Sequence, residues 1–330
     1  MLRRALCLLS AAVMLGVAAA AQTAPHHFTF HYSFTIKNVA PGQRLRVWIP
    51  LAHSDEWQQV RVLSQSSDLP LKPQREREYG NHLLYAETAH ATRAEYHFAV
   101  DYDVVRRERT VLANGKFVDA SAPQRPRDLA RFLAPDKLVP ISGLPAEIAA
   151  QQTAEKTAEL DKALALYDYV FHTLRYDKSG TGWGRGDTLW ACDAKHGNCT
   201  DFHSLFISMA RSQQIPARFE IGFPVPTDKD AGQVAGYHCW ADFYVPGHGW
   251  VPVDISEAWK DKAKHDYFFG TLDTQRVQFT LGRDLTLTPR QQGPPLNFFV
   301  YPYVEVGGAP YANVDNAFSF GPTAGGAPAR

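Results

Sequence analysis

From Phe28 to about Val111 apolar and polar side chains alternate over short runs, most clearly in Phe28-Thr29-Phe30-His31-Tyr32-Ser33-Phe34. A period of two sends every second side chain to the same face of an extended strand, so this stretch must form sheet that buries one face. Further strands are expected at Arg44 to Ile49, Val60 to Leu63, Asn81 to Ala86 and Ala94 to Val104, divided by Pro-Gly, Ser-Ser-Asp and Gly-Asn turn signals. An antiparallel β-sandwich of immunoglobulin-like size over residues 26–122 accounts for this pattern.

The pattern then changes. Residues 123–145 hold several prolines and little periodicity, which predicts a linker. Residues 146–306 predict a second, α+β domain. Leu160, Leu164, Tyr167, Val170 and Phe171 recur at spacings of three and four, the stripe of a core-facing helix. The glycine-rich loop from Ser179 to Asp187 lacks the Lys-Ser/Thr ending of a phosphate cradle. Strands are expected at Ala217 to Phe223, Tyr237 to Val245, Trp250 to Ile255, Arg276 to Leu281 and Phe298 to Val306. Residues 307–330, rich in Gly, Ala and Pro, predict a loosely held tail.

The start of the chain is of another kind. Arg3 and Arg4, an apolar run from Ala5 to Val17 and four alanines at 18–21 have the layout of a cleavable export signal over residues 1–21. The run is shorter than the roughly 20 residues a membrane span needs, so no stable membrane insertion is expected once it is removed. A periplasmic or secreted protein follows. Lys and Arg number 34 and Asp and Glu number 34, and their local clusters are short or mixed in sign, so nucleic acid has no electrostatic footprint to bind.

The expected mature chain keeps Cys192, Cys199 and Cys239, an odd number for an oxidising compartment. A Cys192–Cys239 disulfide stays open. Cys199 has a distinct setting, because Gly197-Asn198-Cys199-Thr200-Asp201-Phe202-His203-Ser204-Leu205-Phe206 joins a polar turn to an amphipathic helix with Asn198 as N-cap. At a helix start, unpaired N–H groups and the positive dipole end stabilise a thiolate. The same N–H groups can hold an oxyanion.

Such a thiolate needs a proton acceptor, and imidazole has a suitable pKa near neutrality. His238, on the strand Gly236 to Asp242, is the candidate base, and Asp254, closing Gly249-Trp250-Val251-Pro252-Val253-Asp254, is the candidate carboxylate that fixes its ring. Only a hairpin loop with an odd number of residues near Pro246 to Gly249, or an equivalent bulge, puts His238, Trp240 and Asp254 on one face. Asp242 is the poorer carboxylate, four residues along an extended strand and more than about 10 Å from His238 at a ~3.3 Å rise.

These segments, with Ala210-Arg211, Ile215-Pro216-Ala217-Arg218 and Tyr237-His238-Cys239-Trp240 in that order, resemble the transglutaminase-like superfamily over about Leu160 to Ala258. The β-rich start also resembles bacterial members in which such a domain precedes the core. The resemblance implies a papain-like core with Cys199 as nucleophile, His238 as base and Asp254 as orienting carboxylate. It implies acyl transfer or hydrolysis on protein or peptide amides, with no organic cofactor. Trp190, Trp240 and His203 are expected as walls of the substrate groove. Asp187 and Asp193 lack an oxygen-rich calcium loop, and no metal is expected. The competing reading is a silent module of the same shape that binds peptide or cell-envelope material.

Overall fold

A computed structural model describes residues 23–118 and 129–323; the expected signal and the first part of the expected linker lie outside them. The chain is α+β. Its N-terminal region contributes β1 (His26–Ile36), β2 (Leu45–Pro50), β3 (Gln58–Ser67), β4 (Lys72–Arg75), β5 (His82–Thr88) and β6 (Tyr96–Arg106). In β1 the residues Phe28, Phe30, Tyr32, Phe34 and Ile36 are buried and the intervening ones are more exposed, as a half-buried strand requires.

The second half supplies α1 (Leu144–Thr153), α2 (Glu159–Thr173), α3 (Thr188–Ala194), α4 (Cys199–Ser212), β7 (Ala217–Pro224), β8 (Gly232–Gln233), β9 (His238–Val245), β10 (Gly249–Val253), α5 (Ile255–Lys260), β11 (Arg276–Leu281), β12 (Tyr303–Val306), β13 (Ala309–Pro310) and β14 (Val314–Gly321). Three larger sheets result, with orders β8-β14-β1-β6-β3, β13-β12-β2-β5-β4 and β10-β9-β7-β11. Buried side chains of the first two, Val100 in one and Val47 and Ala86 in the other, belong to one apolar cluster as the two sheets of a sandwich would, and Phe30 carries that cluster on to Phe223 and Phe279 of the third. The third is the core sheet, and α4 packs on it through Phe206 against Phe243.

Two expectations need correction. Residues 307–321 are no loose tail: β14 pairs along β1 from Thr29↔Gly321 to Ile36↔Val314, and β12 pairs with β2. The C-terminal strands therefore belong to the sandwich, not to the 146–306 domain. The physical reason is that β1 and β2 would otherwise each present an unpaired edge. Phe318 and Phe320 alternate into the core, a short signal masked by Gly-Ala-Pro flanks.

The described part of the linker is likewise folded. Asp136 is buried and accepts from Arg211 Nη1 at 2.6 Å and from Arg131 Nη2 at 2.5 Å, while Arg211 Nη1 also donates to Ala134 O at 2.7 Å. Prolines here mark a packed irregular segment, because α4 needs partners for its buried Arg211.

β7 and β11 approach so closely at their register shift that a Cβ on Gly222 would lie 1.8 Å from the Val277 carbonyl oxygen. That neighbour is backbone and cannot swing aside. Gly222→Ala is expected to cost about 3 kcal/mol, read as a lower urea midpoint; an unchanged midpoint would mean that the two strands part freely.

Candidate active site

α4 begins at Cys199 because the chain caps itself there. Asn198 Oδ1 accepts the Thr200 N–H at 2.9 Å, and Asp201 Oδ2 accepts the Asn198 N–H at 2.9 Å. The two form a reciprocal capping box. The Asp201 carboxylate also accepts N–H groups from Gly184 at 2.7 Å and Gly186 at 3.0 Å, which ties the glycine-rich loop to the start of the helix. Both glycines have positive φ, and a Cβ on Gly186 would lie 2.3 Å from Ser204 Oγ. The glycines let backbone approach the helix end, a packing role unrelated to phosphate.

The β9–β10 hairpin pairs Val245 with Gly249, so its loop holds the three residues Pro246 to His248, an odd number. His238 and Asp254 consequently meet, with His238 Nε2 at 2.7 Å from Asp254 Oδ2. With Nε2 committed, Nδ1 is the nitrogen left for the sulfur, and Cys199 is among the groups that raise the ring's pKa. Asp254 is held in turn. Arg276 Nη1 donates to its Oδ2 at 2.8 Å, and Ser256 Oγ and the Glu257 N–H each donate to Oδ1 at 3.1 Å. The carboxylate thus caps α5 while facing the imidazole.

Burial would raise the Cys199 thiol, but hydrogen bonds with Cys239 and His238 and the His238 charge hold it well below its ordinary value. Burial would lower His238, yet the Asp254 charge and hydrogen bond, helped by Cys199, push it up to about 10. Asp254 is opposed by burial and held well below the usual carboxylate range by His238 and Arg276. All three directions describe one state, a thiolate beside an imidazolium beside a carboxylate. Cys239 goes the other way: burial and the neighbouring Cys199 push it well above the ordinary value, so it stays a neutral thiol, its Sγ donating to Thr200 Oγ1 at 3.7 Å.

Cys199, His238 and Asp254 are brought together; the expected groove walls are not. Trp240 is fully buried, with Nε1 donating to Glu220 at 2.7 Å and Arg276 stacked on its ring at 4.9 Å. His203 is fully buried too. The Ile255 N–H donates to its Nε2 at 3.0 Å, so Nδ1 carries the proton donated to Cys199 O at 2.7 Å. Burial is the main reason its pKa is lowered, and a neutral His203 buttresses the site from inside. Trp190 lies edge-on to His196 at 5.2 Å and seats Gly182 against its indole. Trp240 and His203 are turned into the core and do not line a groove, whereas Trp190, on α3, is half-buried.

Asp242 pairs with Arg109 and Arg218 instead of His238. Cys192, Cys199 and Cys239 are free thiols, so the open Cys192–Cys239 disulfide is absent. Burial pushes Cys192 up to about 11. Residues that sequence reasoning passed over are Arg276, Tyr237 and Glu257. Tyr237 Oη meets Asn198 Nδ2 at 3.0 Å and Thr200 Oγ1 at 2.8 Å, and Glu257 Oε1 stands 3.8 Å from His238 Nε2. Only the adjacency of Tyr237 to His238 hinted at any of them.

A cavity of about 410 Å³ opens beside His238, with Glu257, Phe268, Asp273 and Arg276 in its walls. Cys199 itself is only 2% exposed and is not part of that wall. No group of three or more His, Cys, Asp or Glu side chains is placed to hold a metal among the described residues.

Comparison with known proteins bears on the fold. Residues 146–255 match the transglutaminase-like superfamily. An uncharacterised protein of Haemophilus influenzae is 27% identical over 326 residues, covering 88% of each chain. Another, YebA of Bacillus subtilis, is 25% identical over 131 residues, 36% of this chain and 18% of that one. A solved structure from Cytophaga hutchinsonii, described provisionally as a cysteine protease, superposes with a TM-score of 0.56 at 17% identity, covering 91% of this chain and 99% of that one. At that identity the likeness speaks for the fold.

Proposed function

We propose, from the premise that residues 146–255 are of the transglutaminase-like superfamily, that this chain is a thiol enzyme acting on protein or peptide amides, with Cys199 as nucleophile, His238 as acid and base, and Asp254 as the group that orients the ring. The observation that carries the reading is the buried His238–Asp254 bond at 2.7 Å beside a thiol held low at the first residue of a capped helix.

In the proposed reaction the Cys199 sulfur attacks the amide carbon, and the oxyanion that forms lies near the Cys199 N–H at the start of α4, the Asn198 and Thr200 N–H groups being held by the capping box. His238, already protonated on the side facing the sulfur, delivers that proton to the leaving amine as the C–N bond breaks. A thioester remains. His238 then takes a proton from water or from an incoming primary amine as it attacks, and the Cys199 thiolate departs. Comparing the products of a glutamine-containing peptide with and without a primary amine separates hydrolysis from transfer.

The signal-like start at residues 1–21 supports export of this enzyme. Among the described residues no helix is long and apolar enough to cross a membrane.

Labelling tests the reading directly. A peptide amide analogue bearing a thiol-reactive group is expected to modify the folded protein, to fail on Cys199→Ala and to remain effective on Cys192→Ala. Full labelling of folded Cys199→Ala would end the proposal, and an unreactive wild type would favour a silent peptide-binding module.

A further inference from the structure

A second cavity, of about 440 Å³, lies between the sandwich and the core sheet, away from Cys199. Its walls include Trp57 and Arg106 from the sandwich, Arg109 from the segment that leaves it, and Arg218, Glu220 and Trp250 from the core sheet. That volume suits a small organic molecule. Two of the arginines have partners. Arg109 Nη1 donates to both Asp242 oxygens at 3.1 Å, and Arg218 Nη2 reaches Asp242 at 2.6 Å and Glu220 at 2.8 Å.

Arg106 has none. It is 2% exposed, its Nε is buried with no hydrogen-bond partner, and its guanidinium makes no ion pair among the described residues. Burial lowers its pKa to about 10, and the charges of Asp55 and Glu220, which act the other way without contacting it, do not offset that. A buried charge in this condition is costly and is found where a ligand supplies the missing partner or where a site stores strain. Two more orphaned buried atoms, Arg109 Nε and His53 Nδ1, belong to residues lining the same cavity.

The charge balance points to the ligand. In the buried part of the wall three arginines face two carboxylates, Glu220 and Asp242, and burial beside Asp242 pushes Glu220 up to about 7, so positive charge is in excess inside while Asp55 and Glu56 place negative charge only at the rim. Asp55 and Glu56 stand at the exposed rim, so a dianion would meet repulsion on entry that a monoanion meets less. Trp57 and Trp250, each with an arginine over its ring, offer flat apolar surface beside the charge. We propose that this cavity binds a small organic monocarboxylate, its carboxylate held by Arg106 and its apolar part lodged between Trp57 and Trp250.

The test is titration of the purified chain with acetate, benzoate and N-acetylalanine, against neutral benzamide, read by tryptophan fluorescence and by Tm. At least one carboxylate should saturate both signals and benzamide should not. Arg106→Met is expected to weaken the bound carboxylate by about tenfold or more, and to leave the ligand-free Tm equal or higher, since it removes an uncompensated buried charge. A merely structural arginine would lower the ligand-free Tm instead. Should Arg106→Met fail to fold, Trp57→Ala serves: benzoate should weaken by about fivefold or more while acetate is unaffected. Failure of all three carboxylates to saturate, or equal binding by the folded variants, overturns the proposal. None of these readouts uses Cys199, so the result is independent of the proposed enzyme chemistry.

Discussion

Amide turnover by His238→Ala should fall by about a hundredfold to ten-thousandfold, and the pH dependence of Cys199 alkylation by iodoacetamide should change from flat to rising. In the wild-type site the thiol is held well below its ordinary value and His238 is pushed up to about 10. The sulfur is then anionic at pH 7, and raising the pH adds no further thiolate, while His238 keeps its proton until near that upper value. Lowering the pH through the depressed thiol pKa removes reactivity.

Without the imidazolium, two of the influences that lower Cys199 are gone while burial, which raises it, persists. The thiolate becomes the minor species at neutrality, and its amount climbs about tenfold per pH unit. The slope is the better readout than the rate at a single pH, because a more basic thiolate is intrinsically more nucleophilic and offsets part of its scarcity. A flat profile in both proteins would show that the helix start and Cys239 alone ionise the sulfur. A profile in the wild type that already rises between pH 7 and pH 9 would remove the ion pair from the mechanism.

What could be read from the sequence was what lies close together along the chain. The start of α4 at Cys199 follows from Asn198 and Asp201 within three residues, and the odd hairpin loop follows from matching the parity of His238 and Asp254. The strand alternation of β1 is equally local. Contacts over long separations were not legible. Nothing in Val314 to Gly321 announces that its partner is β1, at the other end of the chain, and nothing near Asp254 announces Arg276. Burial misled in a different way. Trp240 and His203 sit next to the reactive groups in sequence, yet strand and helix geometry turn both into the protein, where one meets Glu220 and the other two backbone groups. Arg106 was invisible for the opposite reason: its meaning lies in a partner it does not have.

Asp254→Asn is expected to lower stability by about 3 kcal/mol and to lower turnover by about a thousandfold or more. Asp254 is fully buried and meets three demands at once, from His238, from Arg276 and from the first turn of α5. Asparagine can still accept the Glu257 N–H through its oxygen, so the cap is largely kept. It cannot neutralise two cations. Arg276 retains Asp273 at 2.9 Å, which limits the cost on that side, but His238 loses the charge that opposes its own burial. Its pKa must fall, the sulfur loses an imidazolium, and the amide can present an N–H toward Nε2 that favours the wrong tautomer. Stability and activity then separate in the double variant Asp254→Asn, Arg276→Met. Removing the guanidinium, which Asp273 alone then has to neutralise, should recover part of the urea midpoint, because a buried cation that has lost one of its two carboxylates is costly. Turnover should stay low, because the carboxylate that orients His238 is still missing. Recovery of turnover together with stability would mean that Asp254 acts only through folding, and the role assigned to it in the reaction would be withdrawn.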